Sequence, residues 1–290
     1  MILLCYNYNR KYIISIVQML SIPKITLPNG VQIPQLGLGT SHNGGYSEAA
    51  LLHGLQLGLR HVDTAQRYGT EAAVGSCVAQ LQLERDQLFL TSKLWPASYG
   101  QISEATRSSL TNLQTDYLDL YLLHWPQSFD GASISETWRS MELLLESGKA
   151  RSIGVSNFLE RHLDSLLEEA SVIPHVNQIE FHPFQQNRSL VKYCHGHNIC
   201  VEGWSPLAKG AVIGNKTIKT ITTSKGVTEA QVAIRWSLQS GIITIPKSTK
   251  ISRLDQNCDV FGFELSSDEM QKMSTLDCDM RVSWDPRTVV

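Results

Sequence analysis

Short apolar runs and helix-patterned stretches alternate along this chain with a steady rhythm, and that alternation limits the fold more than any other feature. Residues 36–40, 60–63, 87–93, 117–123, 152–156, 176–181, 200–204 and 242–245 read as strands. Residues 117–123 are nearly all apolar, as expected of a strand covered on both faces. Helical patterns fill the intervals: 48–58, 71–81, 103–113, a stretch spaced by Ile134, Trp138, Met141 and Leu145, a helix to about residue 170, then 189–197, 228–239 and a helix from Ser252. Before the first strand, Asn29-Gly30 between alternating apolar residues is the signature of a tight hairpin. After the last helix come an amphipathic segment, 267–276, and an aperiodic tail.

Eight strands alternating with eight helices in 290 residues predict an α/β fold: a closed (β/α)8 TIM barrel with an N-terminal β-hairpin, a C-terminal extra helix and a tail. A doubly wound sheet is the competitor, but it wants a glycine fingerprint after its first strand. The sequence after Gly37 and Gly39 lacks the third glycine, and no phosphate-loop motif is present.

The bulk numbers narrow the partners. An apolar fraction of 42% and a charged fraction of 18% suit a globular chain with a sizeable core. The net charge of −2 gives no reason to expect nucleic acid or a membrane surface as partner, and no apolar run approaches a membrane span. Six cysteines are scattered without a CxxC pair, which predicts reduced thiols in an intracellular, cytoplasmic protein. Residues 1–18 are a poor signal peptide, since residues 7–11 interrupt the apolar region and no basic start precedes it. They are expected to be an extension outside the fold, with residues 19–290 forming one barrel domain.

In a parallel barrel, ligands gather where the strands end. Asp63 and Tyr68 follow the second strand, in a loop leading to a helix that Thr70 is placed to cap. Lys93 closes the third strand and His124 the fourth. Ser156 and Asn157 follow the fifth, Gln178 lies in the sixth, Trp204 and Ser205 close the seventh, and Lys247 and Ser248 follow the eighth. An acid, a phenol, an ammonium and an imidazole therefore converge on one mouth. A free tyrosine, with a pKa of about 10, is a sluggish acid, and a neighbouring cation favours its phenolate and lowers that value. Asp63 would hold Lys93 in a partly buried ion pair. His124 would orient a carbonyl by hydrogen bonding, and the group together would deliver a proton while a hydride arrives at the carbonyl carbon.

With those residues in order, the chain resembles the aldo-keto reductase superfamily from about Ile22 to its end. The motifs that carry the resemblance are GLRHVDTAQRYGTEAAVG, SKLWP, YLDLYLLHWP, IGVSNF, NQIEFHP, WSPL and IPKSTKISRLDQN. The resemblance implies a catalytic tetrad of Asp63, Tyr68, Lys93 and His124, with Tyr68 the general acid in reduction of aldehydes and ketones. It implies NADPH as cofactor. Ser156, Asn157 and Gln178 would hold the nicotinamide carboxamide, Trp204 would stack on its ring, and Ser205 and Leu207 would line the pyrophosphate. Lys247, Ser248, Arg253 and Asn257 would take the 2′-phosphate end, where two cations and a hydroxyl suit a dianion. Gly39, Thr40, Asp63 and Gln256 complete the implied cofactor contacts, and a monomer is the family expectation.

Several positions depart from the family pattern. Trp204 stands where tyrosine is common, Gln256 where glutamate is usual near the adenine, and Ser41 where a bulky aromatic often lines the substrate pocket. Trp95, Trp125 and His124 join Ser41 as expected substrate contacts. The 127–132 loop and the tail are short, so substrate preference is not legible here. A cofactor-binding sensor or structural role on the same fold is the alternative. Reduction of carbon–carbon double bonds goes with loss of the histidine in this superfamily, and His124 is present.

Other pairings have plainer readings. His195 and His197 sit at a helix C-terminus, where the dipole favours histidine, and no further ligands lie nearby in sequence, so no metal site is expected. Asp116 and Asp119 read as turn and helix-side charges rather than a catalytic pair.

Overall fold

A computed structural model describes residues 20–41 and 43–289; the extension expected over residues 1–18 lies outside the described residues. The hairpin forms as its turn chemistry predicts. Strands β1 (Lys24–Thr26) and β2 (Gln32–Pro34) pair antiparallel with Ile25 opposite Ile33. Gly30 takes the left-handed backbone of the turn, with φ of 86°.

The barrel follows as eight parallel strands in chain order: β3 (Leu38–Gly39), β4 (His61–Asp63), β5 (Phe89–Leu94), β6 (Leu120–Leu123), β7 (Ile153–Ser156), β8 (Val176–Glu180), β9 (Cys200–Trp204) and β10 (Ile243–Ile245). The ring closes beside β3, where Gly37 N donates to Thr244 O at 2.9 Å and Gly39 N to Pro246 O at 3.1 Å. The strands alternate sides, as the pleat requires. Leu120 and Leu122 join Phe89, Val176 and Ile243 in an inner cluster that also holds Leu27 and Ile33 of the hairpin region. Tyr121 and Leu123 belong to the larger cluster shared with the helices. The hairpin thus plugs one end of the barrel with apolar side chains.

Helices α1 (Glu48–Leu57), α2 (Glu71–Gln80), α3 (Ile102–Leu113), α4 (Ile134–Glu146), α5 (Glu160–Leu167), α6 (Arg188–Gly196), α7 (Lys216–Lys225), α8 (Glu229–Gln239), α9 (Ile251–Cys258) and α10 (Ser267–Ser274) lie along the chain between and after the strands. Their starts are set by local chemistry. Ser133 caps α4 through Glu136 N, and Thr228 with Gln231 and Ser266 with Glu269 form capping boxes on α8 and α10. Each such cap contributes about 1 kcal/mol.

Three sequence expectations change. Helix α7 occupies a threonine-rich stretch that shows weak helical patterning; it buries only Ile218 and Ile221, so tertiary contact decides it rather than propensity. Thr70 does not cap α2: its buried hydroxyl lies 3.0 Å from that of Thr64 and 3.3 Å from that of Thr40, which uses it within the barrel mouth. Asp119 is no surface charge. It is fully buried and accepts from Arg85 at 2.7 Å, Arg151 at 2.8 Å and Leu90 N at 2.9 Å, joining strands near the plugged end. Among the described residues, no helix is long and apolar enough to cross a membrane.

Candidate active site

The mouth opposite the hairpin gathers the strand ends, and its deepest feature is an ion pair. Lys93 Nζ donates to Asp63 Oδ1 and Oδ2 at 2.7 Å each and to Thr64 O at 2.9 Å. The ammonium also hydrogen-bonds Tyr68, and both members of the ion pair are buried. Burial works against the charge on Lys93, but Asp63 and then Tyr68 outweigh it and hold the ammonium above its ordinary value.

Tyr68 stands in a single 3-10 turn, Gln66–Tyr68, ended by left-handed Gly69. The Lys93 ammonium lies 5.0 Å from the centre of its ring. The expected lowering of the phenol does not prevail. Burial raises Tyr68 more than Lys93 lowers it, so the hydroxyl keeps its proton well past neutral pH. An acid is what results.

His124 ends β6 and meets the Tyr68 ring edge-on at 5.5 Å. Its backbone is fixed on both sides: N donates to Leu94 O at 3.1 Å, and O accepts from Asn157 Nδ2 at 3.1 Å. Asn157, in left-handed backbone (φ 65°), also donates to Ser156 Oγ at 3.0 Å and accepts from Trp204 Nε1 at 3.1 Å. Ser156 Oγ donates to Gln178 O at 2.9 Å, and Gln178 Nε2 donates to Asp63 Oδ2 at 2.8 Å. Hydrogen bonds thus run unbroken from the ion pair, through the fifth, sixth and seventh barrel strands, to the histidine and the indole. The structure brings these side chains together as the strand-end order predicts.

Thr40 is buried, its hydroxyl 3.0 Å from Asp63 O. Gly39, Thr40, Lys247 and Ser248 line one small cleft with Tyr46 and Ser47. Lys247 Nζ donates to Asn43 O at 3.0 Å, and Ser248 Oγ to Lys250 O at 3.0 Å. Ser205 is left-handed (φ 54°), and Leu207 is partly buried just before a short 3-10 turn. On α9, Arg253 and Gln256 are exposed and Asn257 is buried. Ser41 is half-buried at the end of β3, its hydroxyl accepting from Asn43 N at 3.4 Å.

The aromatic wall is richer than the sequence indicates. Trp95 meets His124 edge-on at 5.3 Å, and Trp125 is buried. Two residues not foreseen join them. Phe129 packs edge-on against Trp95 at 5.7 Å, and Trp284 of the tail lies 6.0 Å from Trp95 and 5.9 Å from Trp125. Both are more than half-open to solvent or close to it, at 50% and 58%. Neither lies in a periodic element, so no pattern marks them. Two further buried polar groups, His61 and Glu202, lie at the barrel centre away from the carboxyl ends of the strands. The signal was available for Glu202, a carboxyl in the middle of an otherwise apolar strand.

Known proteins resemble this chain along most of its length. The model of the aldo/keto reductase family matches residues 35–277. Glyoxal reductase of Bacillus subtilis is 42% identical over 266 residues, covering 90% of this chain and 95% of that protein. Methylglyoxal reductase DkgA of Yersinia pestis is 41% identical over 267 residues, covering 91% and 96%. A silkworm (Bombyx mori) aldo-keto reductase, solved in complex with NADPH, superposes with a TM-score of 0.86 at 30% identity, covering 91% of this chain and 90% of that one. With the family model spanning the barrel and relatives aligned nearly end to end, this chain belongs to the aldo/keto reductase family.

Proposed function

We propose that this chain, folded as a single barrel domain over residues 19–290, reduces the carbonyl group of small aldehydes and ketones with NADPH, Tyr68 being the acid. The observation that carries the reading is the buried Asp63–Lys93 pair, with its ammonium 5.0 Å from the Tyr68 ring and the His124 ring edge-on to that phenol at 5.5 Å. Membership of the family and the glyoxal and methylglyoxal reductases among its relatives support carbonyls as substrates, short dicarbonyls first.

The residues fit NADPH. The half-exposed Trp204 indole is tied at its edge to Asn157, leaving a flat face at the mouth beside polar Ser156 and Ser205. Arg253 is exposed and makes no ion pair among the described residues, so its guanidinium can meet a phosphate together with Lys247 and Ser248. When bound, NADPH supplies the hydride.

Everything else falls to the protein. His124 positions the carbonyl oxygen beside the Tyr68 hydroxyl. As the carbonyl carbon accepts two electrons and the C=O π bond opens, the oxygen takes the Tyr68 proton. The phenolate left behind is stabilised by the Lys93 charge, which Asp63 and Thr64 O hold in place. Water then returns a proton to Tyr68. Trp95, Trp125, Phe129 and Trp284 shield the carbonyl and favour flat, apolar substituents.

The test compares wild type with Tyr68→Phe, following NADPH absorbance with short dicarbonyl and aromatic aldehydes. Turnover should fall by about 10²–10⁴-fold while NADPH affinity is kept. NADPH binding without turnover in wild type would assign the chain a sensor or structural role. Activity surviving in Tyr68→Phe would place the acid elsewhere.

A further inference from the structure

Beneath the tetrad lies a carboxyl that the reaction as described does not use. Glu202, in β9, points into the barrel and is fully buried. It pairs in register with Gln178 of β8 and Ile243 of β10 and lies two residues before Trp204. Its Oε1 is 3.6 Å from His61 Nε2, which in turn is 3.1 Å from Thr91 Oγ1. Neither Glu202 oxygen makes a hydrogen bond of good geometry among the described residues; the Gln178 amide beside it gives only a weak contact.

We propose that Glu202 is a positioning residue for proton donation: a buried carboxylic acid, uncharged at neutral pH, whose ionisation weakens Tyr68 as the acid. The inference rests on Tyr68 being the proton donor.

The charge balance of the barrel centre carries it. The groups facing Glu202 are His61 and Asp63 from β4, Lys93 from β5, neutral Gln178 from β8, apolar Ile243 from β10 and Tyr68 from the loop after β4. Among them are one cation and one anion, already joined. Lys93 turns its protons to Asp63, Thr64 O and Tyr68, and none of its hydrogen bonds reaches Glu202. Gln178 donates to Asp63, and its amide acts on Glu202 only as the weakest of the influences there. An ionised Glu202 would therefore add a second, unpaired carboxylate to a dry site, which is costly. Burial first, and then the charge of Asp63, push Glu202 up to about 8, with Lys93 and the Gln178 amide acting the other way. Burial pushes His61 down to about 3. At neutral pH the proton shared by this pair sits on the carboxyl.

The consequence reaches Tyr68. A negative Glu202 raises the phenol further and opposes the charge that Lys93 offers to the phenolate. Proton donation is then slowed without any change in the mouth where substrate sits. The effect belongs to kcat and not to KM.

The experiment follows reduction at saturating NADPH across pH for wild type and Glu202→Gln. Wild-type kcat should fall with a midpoint near pH 8, by up to about tenfold between roughly pH 7 and pH 9, while KM stays level. Glu202→Gln, which mimics the protonated acid, should lose that fall and decline only as Tyr68 itself ionises. Infrared difference spectra of the NADPH-bound protein should show a carboxylic-acid carbonyl band at neutral pH. That band should vanish as the pH rises through about 8 and be missing in Glu202→Gln. A fall of the same midpoint in both proteins, or no such band at neutral pH, would overturn the role of Glu202. Absence of turnover with every carbonyl would instead overturn the donor reading on which it stands. Should Glu202→Gln not fold, Glu202→Asp keeps the acid and shortens its reach. It should shift the midpoint, and an unshifted midpoint would count against the proposal.

Discussion

Lys93 and Asp63 show how a burial that is unfavourable for each residue alone becomes stable for the pair. An ammonium and a carboxylate both lose water at the barrel centre, and each is recovered only through the other, Thr64 O and Gln178. Removing one partner leaves the other charge stranded. Lys93→Met is expected to cost about 3–5 kcal/mol in urea unfolding. Adding Asp63→Asn should restore much of that stability, with turnover still lost. A single mutant as stable as wild type would show that water reaches the pair. Tyr68 draws its chemistry from the same dryness. Burial keeps its proton on, and Lys93 makes the proton's departure tolerable.

At the scale of elements, the tail after α10 behaves as part of the site. It is tied down by groups far apart in sequence. Glu180, buried in β8, accepts from Val282 N at 2.7 Å and is 2.9 Å from His182 Nε2. Arg161 of α5 donates to Arg287 O at 3.0 Å and Val289 O at 2.5 Å, and Arg287 pairs with Asp285 and Asp279 at 2.6 Å each. These anchors hold Trp284 over Trp95 and Trp125. An aromatic contact of this kind is worth about 1 kcal/mol. Trp284→Ala should therefore raise KM for an aromatic aldehyde several-fold and leave short dicarbonyls nearly unaffected. Equal losses for both substrate classes would mean that the tail supports the fold rather than lining the pocket. The eight strands and most helices were legible because each carries its own period. Helix α7 was not, since threonines along it blur the pattern and only two isoleucines are buried.

The whole molecule depends on closing the ring, and the seam beside β3 is closely packed. A Cβ at Gly37 would lie 2.6 Å from His61 Nδ1 and 3.0 Å from Ile245 Cγ2. Glycine lets the first barrel strand approach the last while His61 stays within reach of Glu202. Gly37→Ala must push His61 inward or open the Gly37 N to Thr244 O bond. We expect a loss of about 1–3 kcal/mol, read as a lower midpoint of thermal unfolding. An unchanged midpoint would show that the His61 ring moves freely, and that the barrel centre is looser than its burial suggests.

Periodicity in the chain determined the number and order of the strands and of the helices other than α7, and the strand order alone determined which residues share one edge. Asp63, Lys93, His124, Asn157 and Trp204 could be brought to a single mouth on paper because parallel strands in sequence order leave no other arrangement. Distance, protonation and reach were decided only by the folded structure. The direction of Tyr68's shift depends on how much water burial removes, which no spacing encodes. The role of Glu202 depends on Lys93 turning to Asp63, Thr64 and Tyr68 instead of to it. Trp284 arrives at the pocket through Glu180 and Arg161, contacts 102 and up to 128 residues apart in sequence. Local propensities set the elements; desolvation and long-range contact, which exist only after the ring closes, set the chemistry.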